Sequence, residues 1–184
     1  MAQQLVSPEG VTIQVYSGVT GWTAQQVYDF LEPNAYQLGL IGPHLTIKVQ
    51  TTCSTFTTTS AGTRGGVYTS FNATMYLNAS SNSLLLTRPD ATIAHEYGAV
   101  WSMYHLYLTE QGSWTLWLAA RNLVDDPRVD SSDVWSKGEM IADDYRMLLG
   151  TQAAQDEMGY VNTEVPDPRT VPGLKDFFVN VWGA

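Results

Sequence analysis

Apolar and polar residues follow two different rhythms along this chain. In the first half they alternate. Residues 11–16 (VTIQVY) and 45–52 (LTIKVQTT) are β-branched and two-periodic and predict strands, and 66–80 (GVYTSFNATMYLNAS) predicts a third. The stretch 83–89 (SLLLTRP) reads as a short edge strand or as the approach to the next element. Between the first two strands, Thr23 is a helix N-cap candidate. Val27, Phe30 and Leu31 follow it at helical spacing, and Pro33 ends or kinks that helix. From Pro89-Asp90 onward the period lengthens. A helix capped by Asp90 or Thr92 is expected from about 91 to 110, with a break at Gly112-Ser113 and a second helix over 114–122. Residues 124–135 read as a polar loop, and Ser136 and Gly150 bracket another helix. Pro166, Pro168 and Pro172 punctuate an extended tail, which a terminal helix over 172–181 closes. Strands precede helices, so the fold class is α+β: one domain, 1–184, with helices on one side of a small mixed sheet.

Composition narrows the functional classes. The chain is 44% hydrophobic and 15% charged, which favours a packed core over disorder. The net charge is -9, and the linear sequence has no basic patch, so neither nucleic acid nor an anionic membrane surface is expected as a partner. No apolar run reaches transmembrane length, and MAQQLVSPEG lacks a signal-peptide core. Cys53 has no partner for an intrachain disulfide. Nine Lys plus Arg and the Thr/Ser-rich run 51–63 (TTCSTFTTTSAGT) lean towards a secreted, extracellular, bacterial protein. Asn72 and Asn78 fit glycosylation acceptor triplets, which are frequent by chance.

The candidate chemistry lies in 95–105, HEYGAVWSMYH. On a helix, histidines at i and i+4 lie about 40° apart around the axis and can face one ion. A glutamate at i+1 can then reach a metal-bound water, which is why HExxH serves zinc hydrolases. Here His95 and Glu96 open the motif, but Ala99 occupies the second ligand position. Downstream, 135–150 (WSKGEMIADDYRMLLG) places Glu139 and Asp143 one turn apart on a second helix. Glu139 can serve as a carboxylate ligand, and Asp143 can accept the other N–H of His95 and fix its tautomer. The plainer reading makes Glu139, Asp143 and Asp144 a solvated face, with Met140, Ile141, Tyr145 and Leu148 buried.

Together, HEYG.VW and Gly138-Glu139-Met140-Ile141-Ala142-Asp143 resemble the gluzincin clan of zinc metallopeptidases, the thermolysin-like arrangement, and its small bacterial secreted members. In that clan the third ligand lies in an Asn-Glu-x-x-Ser/Ala-Asp motif, and Gly138 departs from it where asparagine is usual. The resemblance covers about residues 85–150 by motif and the whole chain loosely by element order. It implies a zincin-like fold in which an edge strand aligns a peptide or protein substrate; that strand is expected within 73–79. It implies zinc on His95 and Glu139, Glu96 as general base towards a zinc-activated water, and Tyr145 or Tyr97 as oxyanion donor.

Ala99 cannot ligate a metal. It is a deliberate replacement of histidine, the mark of a natural pseudopeptidase, or a sign that another histidine substitutes. His105 has the spacing of the third metzincin ligand. That pattern needs a glycine at 102, however, where this chain has Ser102, and on a straight helix His105 points about 80° from His95 and lies about 15 Å along the axis. It is therefore expected in the core or at an interface. His44 has no functional reading. The tryptophans near the motif, Trp101, Trp114, Trp117 and Trp135, are expected in the core. With two ligands left, zinc is expected to be weak or absent and the chain inactive as a peptidase. The alternatives are a catalytically dead binding module that holds peptide in the same cleft and a structural or adhesive domain with no metal.

Overall fold

The computed structural model describes residues 1–64, 67–109 and 112–183. Strands β1 (Gln3–Val6), β2 (Thr12–Val15), β3 (Leu45–Gln50), β4 (Phe56–Arg64) and β5 (Val67–Asn78) form one sheet in the order β1-β2-β3-β5-β4. β2, β3 and β5 run parallel, while β1 and β4 are antiparallel to their neighbours. The register fixes the faces. Ile13 pairs with Ile47 and Ile47 with Met75, and one residue pair further along Val15, Val49 and Leu77 line up. These side chains are almost completely buried, whereas the intervening Gln14, Lys48 and Tyr76 are only partly covered. The sheet is thus packed on one face, as period-2 alternation predicts.

Helix α1 (Ala24–Asn34) connects the parallel strands β2 and β3. Thr23 and Gln26 form a capping box at its start, and Pro33 is accommodated in its last turn. A one-turn helix α2 (Leu38–Ile41) and a 3₁₀ turn Gly42–His44 then lead into β3. Residues 84–87, read from sequence as strand or approach, form a helical turn α3 (Leu84–Thr87).

The central element is α4 (Pro89–Leu108). Pro89 at N1 has its φ preset for a helix, and its missing N–H costs nothing there. The N-cap is Arg88, not Asp90 or Thr92. Further along, the free N–H of Ala91 donates to the Glu157 carboxylate at 2.9 Å. The predicted end near 110 falls outside the described residues, as does Gly66 at the start of the third predicted strand. α4 lies under β4 and β5 on one side and against α1, α6 (Lys137–Leu149) and α7 (Gln152–Asp156) on the others. That position explains why it is buried almost all round, with no single apolar stripe.

α5 (Trp114–Ala120) follows, and α6 runs from N-cap Ser136 to C-cap Gly150, as the punctuation predicts. The chain ends in a short helix α8 (Leu174–Asp176) continued by a π-helical turn Phe177–Trp182. Phe178 stacks on Trp101 with ring centroids 5.6 Å apart. The fold is α+β, and among the described residues no helix is long and apolar enough to cross a membrane.

One sequence expectation is corrected. Of residues 73–79, all but Ala79 belong to β5, which has β3 on one side and β4 on the other. The edge strands are β1 and β4, and the one beside α4 is β4, which begins inside the Thr/Ser-rich run. Its helix-facing row Thr57, Thr59, Ala61 pairs with Met75, Ala73, Phe71 and stands over α4. A strand of threonines escapes hydropathy patterning, but its alternate β-branched positions suit a half-buried edge.

Candidate functional site

α4, α6 and β4 converge on a cleft of about 230 Å³. α4 contributes His95, Glu96, Ala99 and Met103, and α6 contributes Gly138, Glu139 and Ala142. Thr57 and Thr59 of β4, with the preceding Thr55, close the third side. The helices meet closely because position 98 is glycine. A Cβ there would lie 2.7 Å from the Ala142 carbonyl oxygen and 2.8 Å from the Tyr145 Cβ. Gly98 therefore lets the turn carrying His95 approach the turn carrying Glu139.

The result is a direct contact, His95 Nε2 to Glu139 Oε2 at 3.2 Å. The other ring nitrogen, Nδ1, lies 3.5 Å from Asp143 Oδ1, a long charge-assisted contact at the outer limit of hydrogen bonding. Asp143 is itself fixed. Its Oδ1 accepts from Arg146 Nε at 2.7 Å and its Oδ2 from the Val161 N–H at 2.8 Å. Of the three α6 acids considered as a solvated face, Asp143 and Asp144 are buried, and only the Glu139 side chain is exposed, at 59%. Asp144 turns away from the cleft to Trp117 Nε1, at 3.0 Å, and to Arg121 Nε, at 3.2 Å.

Burial alone would lower the His95 pKa. The hydrogen-bonding carboxylates of Asp143 and Glu139 outweigh it and push the value up to about 10. His95 held between them is an imidazolium at neutral pH. The same contact lowers the Glu139 carboxyl. Burial raises the pKa of Asp143, but His95 and Arg146 outweigh it and hold the group below its ordinary value. Glu96 shows the opposite balance. Burial pushes its carboxyl up, against the pull of His95 and of the Thr57 hydroxyl, which donates to Oε2 at 2.6 Å. A carboxylate with a raised pKa, held in a cleft, suits a general base.

Sequence reasoning missed Thr57. Thr57 lies 39 positions before Glu96, and the recurrence of threonine at 55, 57 and 59 was its only trace. Two predicted residues are not brought to the cleft. The Tyr145 hydroxyl is fully buried; it accepts the Tyr36 N–H at 2.7 Å and donates to the Asn34 carbonyl at 3.1 Å. Tyr97 donates to the Tyr36 carbonyl at 2.9 Å. Both are core residues with spent hydroxyls, and neither points at a reacting group. His105 is also a core residue, 2% exposed, with Nε2 3.1 Å from Gln37 Oε1. Trp101, Trp117 and Trp135 are buried, and Trp114 packs partly buried against the same core.

Two donors each about 2.0–2.1 Å from a tetrahedral ion lie about 3.3–3.4 Å apart. The His95–Glu139 separation of 3.2 Å is close to that spacing, but here it is a direct hydrogen bond from the His95 imidazolium, whose proton an ion would have to displace. The set is incomplete, because Ala99 supplies a methyl group on the cleft wall where a third donor is needed. Among the described residues no group of three or more His, Cys, Asp or Glu side chains is placed to hold a metal ion. The donors present do not fit a catalytic zinc shell. In comparisons with family models, curated proteins and solved structures, nothing matches the chain.

Proposed function

We propose that this chain is a zinc-endopeptidase domain of gluzincin type with a zincin-like fold, disabled by alanine at position 99. The observation that carries this reading is the shared cleft. His95, Glu96, Ala99 and Glu139 line one cavity, with the first and last already in contact. In the ancestral arrangement, histidine at 99 would complete the donor set and zinc would supply Lewis acidity. Glu96 would be the base, tuned by burial and by Thr57. The free edge of β4, antiparallel to β5 and adjoining the cleft, is suited to an extended peptide. That edge supports the second reading as well, a module that binds peptide without cutting it. The scarcity of Lys and Arg and the threonine-rich edge strand support an extracellular setting.

The test is metal content and peptide cleavage, measured in parallel on this chain and on Ala99→His. The restored chain should hold near-stoichiometric zinc and cleave casein or an unstructured peptide, whereas the parent should do neither. If well-folded Ala99→His holds no zinc, the peptidase reading fails and the cleft is a packing feature.

A further inference from the structure

The sheet has a second surface that the cleft does not use. α1 and α4 pack against each other and cover one face. On the other face the register sets the side chains in two parallel ranks. Thr12, Thr46, Thr74 and Thr58 are aligned partners across β2, β3, β5 and β4. Two residues along, Gln14, Lys48, Tyr76 and Phe56 form the second rank. Neighbours within a rank stand about 4.8 Å apart, and the ranks lie about 7 Å apart. We infer that this open face is a platform for a neutral polysaccharide, which lies across the strands with its rings against the aromatic rank and its hydroxyls on the threonine rank. The inference does not depend on the reading of the cleft. On β4, Thr57 and Thr59 face α4, whereas Thr58 and Ser60 face the open side.

Three observations carry it. First, the face is set apart by charge. The chain has a net charge of -9, yet none of its 18 acids lies in a strand, and the two charged residues in the strands, Lys48 and Arg64, are basic. Second, the face carries aromatic rings that the core does not use. Phe56 stacks on Tyr76 with centroids 4.6 Å apart and planes 12° apart, and Lys48 Nζ lies 5.4 Å from the Tyr76 centroid. Phe56 stands on an edge strand, has a ring beside it on one side, and is 41% exposed. Third, the other positions in the two ranks are threonine hydroxyls and the Gln14 amide, groups that both donate and accept hydrogen bonds.

These properties select the occupant. A nucleic acid or acidic polymer needs many more cations than two. A second copy of the chain, or another protein, needs an apolar centre to its interface, and Phe56 is the one strongly apolar side chain in the two ranks. A neutral sugar chain meets neither objection. The C–H groups on the faces of its rings suit the negative face of an aromatic side chain, and its hydroxyls suit threonine and amide partners. Because the ranks repeat from strand to strand, they suit a ligand that also repeats, lying across β2, β3, β5 and β4.

Native affinity electrophoresis tests this, with hydroxyethylcellulose, xylan or mannan cast into the gel. Carboxymethylcellulose, which has the same backbone as the first but is acidic, serves as the charged control. At least one neutral polymer should retard the chain, carboxymethylcellulose should retard it less, and a chelator should change nothing. Phe56→Ala should weaken the retardation roughly fivefold, the worth of one aromatic face. Phe56 also borders the mouth of the cleft, so a second variant is needed away from it. Thr46→Glu, on β3 in the middle of the threonine rank, should abolish binding by adding bulk and negative charge. Leu116→Ala, an exposed change on α5, should bind as the parent does; circular dichroism confirms folding of all three. No retardation by any of the neutral polymers overturns the inference, as does retardation by the acidic polymer alone or loss on chelation. Binding that survives Thr46→Glu overturns it too, even if Phe56→Ala weakens it, because the sugar would then sit at the cleft mouth. None of these outcomes bears on zinc binding by Ala99→His, so the two readings fail separately.

Discussion

Arg146→Met should be among the most damaging single substitutions in this domain. The Arg146 side chain is completely buried. Nε donates to Asp143 Oδ1 at 2.7 Å, and Nη1 donates to the carbonyls of Ala154 at 2.7 Å and Met158 at 2.6 Å. Nη2 donates to the Gly159 carbonyl at 2.9 Å. Methionine approximates the volume but supplies no donor. Removing one member of a buried ion pair costs about 3–5 kcal/mol, because the other charge stays behind unpaired. Here Asp143 would keep only the Val161 N–H and its long contact to His95. The Ala154 carbonyl belongs to a fully buried residue and adds about 1–3 kcal/mol if it is left unsatisfied, while Met158 and Gly159 lie nearer water. A loss of about 4–8 kcal/mol follows, against a total of about 5–15 kcal/mol for a typical domain. For a chain of this length that lowers Tm by roughly 10–30 °C. Urea unfolding followed by tryptophan fluorescence measures it. The double variant Arg146→Met/Asp143→Asn should recover part of the loss, since it also removes the stranded charge. A single-variant loss below about 2 kcal/mol would refute the claim that Arg146 ties α6 to the 154–161 segment.

Three further outcomes follow from particular contacts. Gly98→Ala should destabilise by about 1–3 kcal/mol in urea unfolding despite the better helix propensity of alanine, because the new Cβ meets the Ala142 carbonyl and Tyr145; a neutral or stabilised variant would show that α4 and α6 can separate freely. Thr57→Val should make the Glu96 carboxyl titrate higher in carboxyl ¹³C NMR, since it removes the hydroxyl bonded to Oε2 at 2.6 Å; an unchanged titration would remove Thr57 from the site. His105, buried with Nε2 on Gln37 and Nδ1 without a partner among the described residues, has its pKa lowered by burial to about 4. The unfolded chain binds this proton at the ordinary pKa near 6.5 and the folded chain does not, so stability is complete above that value and is lost as pH falls towards 4. Between pH 8 and pH 5 the loss should be about 2 kcal/mol, and His105→Gln should lack that component when the two are compared by urea unfolding.

The sequence was most informative where the chain punctuates itself. Ser136 and Gly150 bracket α6 to the residue, and alternation in LTIKVQ marks β3. Its failures have physical causes. β1 (QQLV) carries no clean alternation, and its place in the sheet comes from pairing with β2. β4 is written in threonine and serine, so hydropathy sees a linker. β5 resembles an edge because its first residues, 67–70, are exposed, yet from Phe71 to Leu77 every second side chain is buried between its neighbours. In the cleft, the pairing of His95 with Glu139 was legible because one motif lies on one helix and the other near the start of a second. Thr57 and Gly98 were not, since their roles depend on how closely two elements approach, a tertiary quantity.

That distinction also decides which residues bear on function at all. Asp143, Arg146, Gly98 and Tyr145 border or back the site, yet folding alone explains each. Asp143 holds the Val161 N–H and Arg146, Gly98 clears a helix crossing, and Tyr145 satisfies the backbone between Asn34 and Tyr36. Their presence would be expected in a domain that had never bound a metal. Glu139 and Glu96 are different. The Glu139 side chain is 59% exposed, and it contacts His95 directly. Glu96 is a carboxyl kept at 8% exposure, where burial raises its pKa and alanine or leucine would pack at lower cost. Neither is explained by stability, and both face the cavity that Ala99 lines. Zinc binding by Ala99→His should therefore collapse in Glu139→Gln and His95→Ala while surviving in Glu96→Gln, which is not a ligand. Equal loss in all three would mean that the cleft had collapsed and that no metal site had been tested.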